Sequence, residues 1–289
     1  MAGLSDYHSI VAGEWRLLVL SAKWHDALQL GILDLVRAQV PARHPQTVQL
    51  RANVGGVEKE LFVKIFHRRG WLTALKDHLR RSRAFNSWRQ GLALEAEGFK
   101  VPLAVALGAQ SGWRIARREF VVTEKICAVA LAEYLRGVSH GAMALRSKRE
   151  NIKRLAQLIR RFHAAGFVHG DLLAGNIFIV SGSENAGEFY FMDNDRTRHY
   201  ASWSYQTLWK RNLIQLNRLP LPAISLQDRM RFLYAYLDVK RLSAADRRFA
   251  RWLERRTRQR RKECDGADPT VSFRRLMRWT PLLDTARER

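Results

Sequence analysis

Residues 167–179 read Phe-Val-His-Gly-Asp-Leu-Leu-Ala-Gly-Asn-Ile-Phe-Ile, and this stretch decides the fold. Upstream of it, apolar residues recur at steps of three and four, which predicts a helix with one buried face. These residues are Ile152, Leu155, Ile159 and Phe162. We expect Gly166 to end that helix, since glycine is favoured just past a helix end. Downstream, Asn176 to Val180 predicts a short strand, so the stretch is a polar loop between a helix and a strand.

The loop contains His169-x-Asp171, and Asn176 follows the aspartate after five residues. This is the spacing of the kinase catalytic loop. Phosphoryl transfer needs a carboxylate that orients the acceptor hydroxyl and takes its proton, which is the role predicted for Asp171. It also needs oxygen ligands for magnesium, and Asn176 can supply one. The alternative is a polar loop without catalytic function, but the full spacing in this local context favours catalysis.

A second segment, residues 189–195, reads Phe-Tyr-Phe-Met-Asp-Asn-Asp and is an apolar strand that ends in acidic residues. Asp193 lies 17 residues after Asn176, where a kinase has its main metal ligand. A hard divalent cation that bridges phosphates requires carboxylate oxygen there. We interpret Asp193 as this ligand because it follows the apolar run directly. Asp195 is either a second metal ligand or a loop carboxylate.

Lys64 lies inside an apolar strand predicted from Leu61 to Phe66. A lysine in such a strand is unfavourable unless its charge is paired or reaches water. It either contacts ATP phosphates or is an edge-strand lysine that discourages aggregation. Its position in the chain, before the catalytic loop, favours the first interpretation.

The order of the predicted elements indicates an α+β, two-lobed, protein-kinase-like fold. In the first half we expect strands at Thr47–Val54, at the lysine strand and at Glu119–Thr123, with a helix from Trp71 to about Glu97. The second half is mainly helical. Residues 1–126 would form a strand-rich, nucleotide-binding N-lobe. Residues 127–289 would form a mainly helical C-lobe with the catalytic loop, the metal-binding hairpin and basic C-terminal helices. The lobes are expected to meet near Glu124 to Ala128.

The whole chain resembles the lipopolysaccharide kinase family of Kdo/WaaP type, within the protein-kinase-like superfamily. The resemblance rests on Val63-Lys64-Ile65, on His169 to Asn176 and on Met192-Asp193. Residues 211–217 and 231–237 support it. It implies ATP and Mg²⁺ as cofactors and a sugar of the lipopolysaccharide core, Kdo or heptose, as the phosphate acceptor.

The resemblance also implies a role for each site residue. Asp171 would be the catalytic base, and Lys64 would hold the phosphates and support catalysis. Magnesium would be bound by Asn176 and Asp193, with Asp195 as the candidate third ligand. The remaining cofactor-binding residues are expected in the segment between the lobes, at Glu124 and Ile126.

Some features depart from the protein-kinase pattern. Gly170 stands where regulated protein kinases have arginine, and no Ala-Pro-Glu follows Asp193. Both departures are typical of kinases for sugars and small molecules. No Gly-rich loop precedes Lys64, so the phosphate cradle is expected elsewhere, near Pro41 to Gln46. The glutamate expected to pair with Lys64 is also missing from its place before Trp88, and the neighbouring candidates are Glu95 and Glu97.

The chain carries 50 basic and 27 acidic residues, a net charge of +23. Such a charge predicts attraction to polyanions. Residues 240–263 hold 11 Lys or Arg and three acids on a helix with a capping pattern at Ser243 and Asp246. A second basic cluster comprises Arg68, Arg69, Lys76, Arg80, Arg81 and Arg83. We expect the partners to be the lipopolysaccharide core or another anionic glycolipid, and an anionic inner-membrane surface. Nucleic acid is not expected, because no nucleic-acid-binding motif is visible.

The sequence also indicates the compartment. Cys127 and Cys264 are the only cysteines, which favours a reducing environment. The longest stretch without charged residues, Val101 to Trp113, is too short to span a bilayer. Residues 1–20 lack the apolar core of a secretory signal. We therefore expect a cytoplasmic protein, peripheral at the inner face of the inner membrane.

Two other functions are compatible with the sequence. The same fold could phosphorylate a protein or an aminoglycoside-like small molecule, although a cationic acceptor does not suit a basic protein. Alternatively, the chain could be a basic pseudokinase that binds nucleic acid or membrane. The missing Gly-rich loop, and Ser87 in the place of the expected glutamate, could indicate this. Steeply salt-dependent binding of nucleic acid without nucleotide binding would favour the last.

Overall fold

The computed structural model describes residues 6–21, 24, 31–40, 42, 44–54, 56–69, 82–110, 116–138, 142–180, 187–201, 207–219 and 224–266. The chain divides into two compact units. Unit 1 comprises residues 1–127 and 190–198, and unit 2 comprises residues 128–189 and 199–289. The functions assigned above to residues 1–126 and 127–289 stay predictions.

The described elements mix helices and strands, which confirms the predicted α+β class. In chain order they are β1 (His8–Ala12), β2 (Trp15–Val19), α1 (Leu33–Ala38), β3 (Gln46–Val54), β4 (Val57–Arg69), α2 (Arg83–Ala96), β5 (Ala104–Gln110), β6 (Ala116–Glu124), β7 (Val129–Ala130), α3 (Leu131–Gly137), α4 (Ala142–Ala164), β8 (Phe167–Val168), β9 (Ile177–Ile179), β10 (Phe189–Phe191), β11 (Arg198–His199), α5 (Trp209–Asn217), α6 (Leu226–Leu237) and α7 (Ala244–Asp265). A 3₁₀ turn, Asn194–Arg196, lies between β10 and β11.

Unit 1 is built on a six-stranded antiparallel sheet with the order β1-β2-β5-β6-β4-β3. Strands β3 and β4 form a hairpin, with Val54 paired to Val57. Its turn is closed by a hydrogen bond from the Gly56 N–H to Oδ1 of Asn53, at 2.8 Å. Gly56 has φ +87°, a conformation that favours glycine. Strands β1 and β2 have no counterpart among the predicted strands.

The two faces of this sheet bury different apolar clusters. One cluster contains Trp15, Leu61, Val63, Ile65, Phe120 and Val122 among others. On the opposite face, Phe66 packs with Trp88 of α2. Side chains alternate between the faces of a strand, so Lys64 lies on the same face as Phe66. Helix α2 therefore covers the face that carries Lys64.

Helix α2 is the described part of the helix predicted from Trp71 to Glu97, and residues 70–81 lie outside the described residues. It begins after Ser82, whose Oγ accepts a hydrogen bond from the Phe85 N–H at 3.0 Å. It ends before Gly98, which has φ +75°, a conformation that favours glycine just past a helix end.

Unit 2 is mainly helical, as predicted. The apolar stripe of α4 is buried at Ile152, Leu155, Ile159 and Phe162. The helix ends before Gly166, which has φ +82°. Short strands β7 and β9 pair antiparallel, and β9 directly follows the loop that contains Asp171 and Asn176.

Helix α7 has the predicted capping box, in which Ser243 and Asp246 each satisfy the other's backbone N–H. Its exposed residues include Arg247, Arg248 and Arg255. Among the described helices, none is both long enough and apolar enough to cross a lipid bilayer.

Candidate active site

In unit 1, Lys64 of β4 pairs with two carboxylates that follow β10. Its Nζ forms an ion pair with Asp193 and lies 3.7 Å from Oδ1 of Asp195. The Lys64 side chain is 19% exposed, so its charge is largely removed from water. This burial lowers the pKa of Lys64 below its ordinary value; Asp195 opposes the change and Arg83 adds to it. Folding thus brings together Lys64 and Asp193, which are 129 positions apart in the sequence.

Asp195 is held by α2. Arg83 donates to Oδ2 of Asp195 from Nε, at 2.6 Å, and also from Nη2. Asn86 donates from Nδ2 to the Asp195 carbonyl oxygen, at 2.6 Å. The Asp195 side chain is 1% exposed, and a carboxylate so deeply buried is unfavourable unless it is paired. Arg83 was predicted as part of a basic surface, whereas the structure shows it bonded to this carboxylate.

The partner of Lys64 also differs from the one expected. Among the described residues, Lys64 forms no ion pair with Glu95 or Glu97. Helix α2 supplies a cation and an amide to the turn after β10, and the turn supplies the carboxylates to Lys64. In the protein-kinase pattern, α2 would contribute the carboxylate that pairs with the lysine. Here Asp193 and Asp195, from the turn after β10, contribute it instead.

Asp193 has a left-handed backbone conformation, with φ 58° and ψ 49°. Aspartate tolerates this conformation better than most residues, because its short side chain can bond locally. The turn is fixed by Asn194, which donates from Nδ2 to the Phe191 carbonyl oxygen at 2.9 Å and accepts from the Thr197 N–H at 3.1 Å. These bonds hold Asp193 where it meets Lys64.

In unit 2, the loop that follows β8 is stabilised by its own polar groups. The Asp171 N–H donates to Nδ1 of the buried His169, at 3.1 Å. Asn176 donates from Nδ2 to the Asp171 carbonyl oxygen, at 2.9 Å. Asp171 and Asn176 are both partly exposed. The loop therefore presents the two predicted functional groups from a fixed backbone.

Two residues that contact this loop were not predicted as functional. Asn212 and Gln215, both buried on α5, hydrogen-bond to residues 169–172. The sequence does contain a signal for them: Asn212 and Gln215 lie three positions apart on an otherwise apolar helix face. Buried polar groups require hydrogen-bond partners, so this spacing indicates that both amides bind a neighbouring segment.

Glu124 and Ile126, predicted to bind the cofactor, lie at and just after the end of β6. The Glu124 carboxylate forms an ion pair with Lys59. The backbone N–H of Glu124 donates to the Leu103 carbonyl oxygen at 3.0 Å. Ile126 is partly buried. Their role in cofactor binding stays a prediction.

The predicted magnesium ligands have donor atoms that suit this ion. Nδ2 of Asn176 is engaged by the loop, so Oδ1 is the atom left for a cation. Oδ1 of Asp195 is buried and accepts no hydrogen bond from the described residues. Although no three His, Cys, Asp or Glu side chains cluster within the described ranges, magnesium typically takes only one or two protein carboxylates besides phosphate and water. The residues fit the ion, and their assignment as ligands stays a prediction.

A cavity of about 640 Å³ lies among the helices of unit 2. Its lining is mainly apolar and includes Leu131, Ile152, Leu155, Leu213, Leu233 and Leu253. Arg247, Arg251 and Arg258 of α7 also line it. In its wall, buried Lys148 and Asp228 form an ion pair of 2.7 Å. The cavity thus combines an apolar interior with several cationic groups.

Of the two predicted basic clusters, only that on α7 is described at length. Arg258 in this helix is partly buried, and its Nη1 lies 3.9 Å from Oε1 of Glu254. In the second cluster, the side chains of Arg68 and Arg69 lie outside the described residues, as do Lys76, Arg80 and Arg81.

An antiparallel sheet that carries a paired lysine, together with a helical unit that carries a His-x-Asp loop, defines a protein-kinase-like phosphotransferase. The chain belongs to the lipopolysaccharide kinase (Kdo/WaaP) family, whose model matches residues 41–236. This confirms the family resemblance and the prediction of a kinase acting on a sugar hydroxyl.

One solved structure shows the same fold. The structure described as WaaP in complex with acyl carrier protein is 20% identical, covers 84% of this chain and 98% of that chain, and has a TM-score of 0.59. This likeness confirms the predicted fold class. A MAP kinase from Leishmania major, LmaMPK10, is 12% identical, covers 78% of this chain and 73% of that chain, and has a TM-score of 0.40. Among curated proteins, none matches the sequence significantly.

Proposed function

We propose that this lipopolysaccharide kinase transfers the γ-phosphate of ATP to a hydroxyl of Kdo or heptose in the inner core, with Mg²⁺ as the second cofactor. The family supplies the reaction and the class of substrate. The observation that carries the proposal is the ion pair between Lys64 and Asp193. It joins a cation suited to phosphate and a carboxylate suited to a metal ion, the two groups that kinases need at the nucleotide.

At the nucleotide, Lys64 would exchange one anionic partner for another. Its largely buried ammonium is costly to leave unpaired, so a phosphate oxygen of ATP can take the position that Asp193 fills in its absence. Asp193 is then available as a magnesium ligand, the role also proposed for Asn176 and Asp195. When bound, the ion offsets the charge of the phosphates. Asp195 keeps Lys64 oriented, because Arg83 fixes its carboxylate.

At the acceptor, Asp171 accepts a hydrogen bond from the sugar hydroxyl and takes its proton as that oxygen bonds to the γ-phosphorus of ATP. The bond from this phosphorus to the β-phosphate oxygen breaks at the same time, and ADP leaves. Its backbone N–H and carbonyl are both occupied, so the carboxylate is the part of Asp171 that can meet the substrate. The inner core carries carboxylates and phosphates, and arginine binds such groups bidentately. The exposed arginines of α7 would attract this acceptor and an anionic membrane surface.

The proposal is tested with purified protein, labelled ATP, Mg²⁺ and a panel of truncated lipopolysaccharides. Mass analysis of the product identifies the sugar and the hydroxyl that gained phosphate. We expect phosphate on Kdo or heptose with the full inner core, and none with lipid A alone. Phosphate on protein but not on lipopolysaccharide would instead support the protein-kinase alternative.

Charge-removing variants test the residues. Asp171→Asn and Asp193→Asn should each lower kcat by at least about 100-fold while the protein stays folded. Asp238→Asn is the matched control for position 193, because Asp238 also has φ 58° and ends α6 at the surface. It should leave kcat within about twofold of the wild type. Full activity of Asp193→Asn would contradict the assignment.

A specific observation favours a second function, the binding of an acylated carrier protein. The solved WaaP structure contains acyl carrier protein. The apolar cavity of unit 2 has room for an acyl chain, and the arginines in its lining suit an anionic carrier. Titration of this protein with carrier protein, with and without a long acyl group, tests the idea. We expect the acylated form to bind at least about tenfold more tightly, and equal affinities would contradict it.

A further inference from the structure

Two side-chain amides of α5 bracket the proposed base. Asn212 accepts a hydrogen bond from the His169 N–H at 2.9 Å and donates from Nδ2 to the His169 carbonyl oxygen at 2.5 Å. Gln215 accepts from the Leu172 N–H at 3.2 Å and donates from Nε2 to the Gly170 carbonyl oxygen at 3.1 Å. The residues on both sides of Asp171 are therefore bound to one helix.

The orientation of both amides is determined by their partners. Nδ2 of Asn212 also donates to Oε1 of Gln215, at 3.0 Å. Nε2 of His163 lies 3.2 Å from Oδ1 of Asn212, which can only accept, so this nitrogen carries the proton. Nδ1 of His163 then accepts from the Tyr236 hydroxyl at 2.9 Å. The hydrogen-bond network reaches from Tyr236 of α6 to the loop, and the donor and acceptor of each hydrogen bond are defined.

Gln215 also approaches the base itself. Its Nε2 lies 3.4 Å from Oδ1 of Asp171, a long hydrogen bond that favours one orientation of the carboxylate. Asn212 and Gln215, which we call the clamp, are both neutral. They therefore direct Asp171 without adding charge where a proton is taken up. A carboxylate at position 215 would repel Asp171 instead.

We propose that Asn212 and Gln215 are positioning residues that set the place and orientation of Asp171 for phosphoryl transfer. This inference rests on the proposed function, because it takes Asp171 as the base. Small displacements of a reacting group can lower the rate by about 100-fold. The two amides therefore contribute to turnover without contacting either substrate.

The test is Gln215→Met, which keeps the length of the side chain and removes its polar groups. We expect kcat to fall by about 10- to 100-fold while KM for ATP stays within about twofold. The matched control is Thr257→Val. Thr257 is buried on α7, and the substitution removes its 3.0 Å hydrogen bond with Asn217, which lies on α5 like Gln215. It should lower the melting temperature but leave kcat within about twofold. If Gln215→Met does not fold, Gln215→Glu keeps the acceptor for Leu172 and removes the donor.

A double-variant cycle separates positioning from general loss of structure. Because Gln215 acts through Asp171, adding Gln215→Met to Asp171→Asn should lower the residual kcat by less than about twofold. A multiplicative loss, or wild-type kcat in Gln215→Met, would overturn the proposal.

Hydrogen exchange of residues 169–176 gives a readout that needs no turnover. We expect exchange at least about tenfold faster in Gln215→Met than in Thr257→Val. Equal exchange would overturn the clamp. Faster exchange in a protein without phosphotransfer to lipopolysaccharide would support the clamp and contradict only the proposed function.

Discussion

Lowering the pH from 7 to 5 should destabilise the protein through His163, the buried histidine behind the clamp. Burial lowers the pKa of His163 from 6.5 to about 4, and the hydrogen bond with Asn212 offsets this only in part. Between these values the unfolded chain binds a proton that the folded chain does not, so stability falls as the pH falls. The full contribution is present at pH 7. About 2 kcal/mol is lost by pH 5, and about 3 kcal/mol below pH 4, at about 1.4 kcal/mol per pKa unit.

Urea unfolding at pH 7 and pH 5 measures this loss. Other groups also titrate in this range, so the wild type is compared with His163→Gln. Glutamine does not titrate and can still bond to Asn212 and Tyr236. The wild type should lose about 2 kcal/mol more than the variant between the two pH values. Losses equal to within about 0.5 kcal/mol would refute the buried, neutral state of His163.

Three further substitutions test the fold around the site. Gly166→Ala should destabilise by about 2 kcal/mol or more, because Gly166 has φ +82° and an added Cβ would lie 2.4 Å from the Tyr200 carbonyl oxygen; a melting temperature within about 1 °C of wild type would contradict this. Lys148→Met should destabilise by about 2 kcal/mol in urea unfolding, because buried Asp228 loses its ion pair with Lys148 and keeps only the one with Arg231. Adding Asp228→Asn should restore part of that loss, and no restoration would argue against the pair. Ser243→Ala should cost about 1 kcal/mol by removing the N-cap of α7, and unchanged thermal unfolding would show that the cap contributes nothing.

The parts of the site that were predictable from the sequence are those in which function and local structure share one short segment. The stripe of α4, the stop at Gly166 and the spacing from Asp171 to Asn176 lie within about 25 residues and follow helix and loop rules. The same holds for the hairpin of β3 and β4, whose turn is marked by glycine. In contrast, β1 and β2 are five residues each, and such short alternations resemble irregular chain.

The partners of these residues depend on packing between distant segments. Arg83 was read as a surface cation, since nothing near it in sequence shows that a buried carboxylate lies against it. A glutamate partner for Lys64 was expected by analogy, with Glu95 and Glu97 as candidates, whereas its partners in the structure are Asp193 and Asp195. The sequence shows which charged residues are present, but it does not show which of them pair when they are far apart along the chain.

The contacts at the site also show how its charges differ from those of the chain. Where Lys64 and Arg83 meet Asp193 and Asp195, two cations face two carboxylates, and the groups that clamp the catalytic loop are neutral. Helix α7 instead carries nine cations and four acids. Under the proposed function, attraction of an anionic acceptor over a distance would come from surfaces such as α7, while phosphoryl transfer would depend on groups that largely balance each other. Since long-range attraction is screened by salt and short buried contacts are screened much less, we expect salt to weaken the capture of the acceptor more than its chemistry.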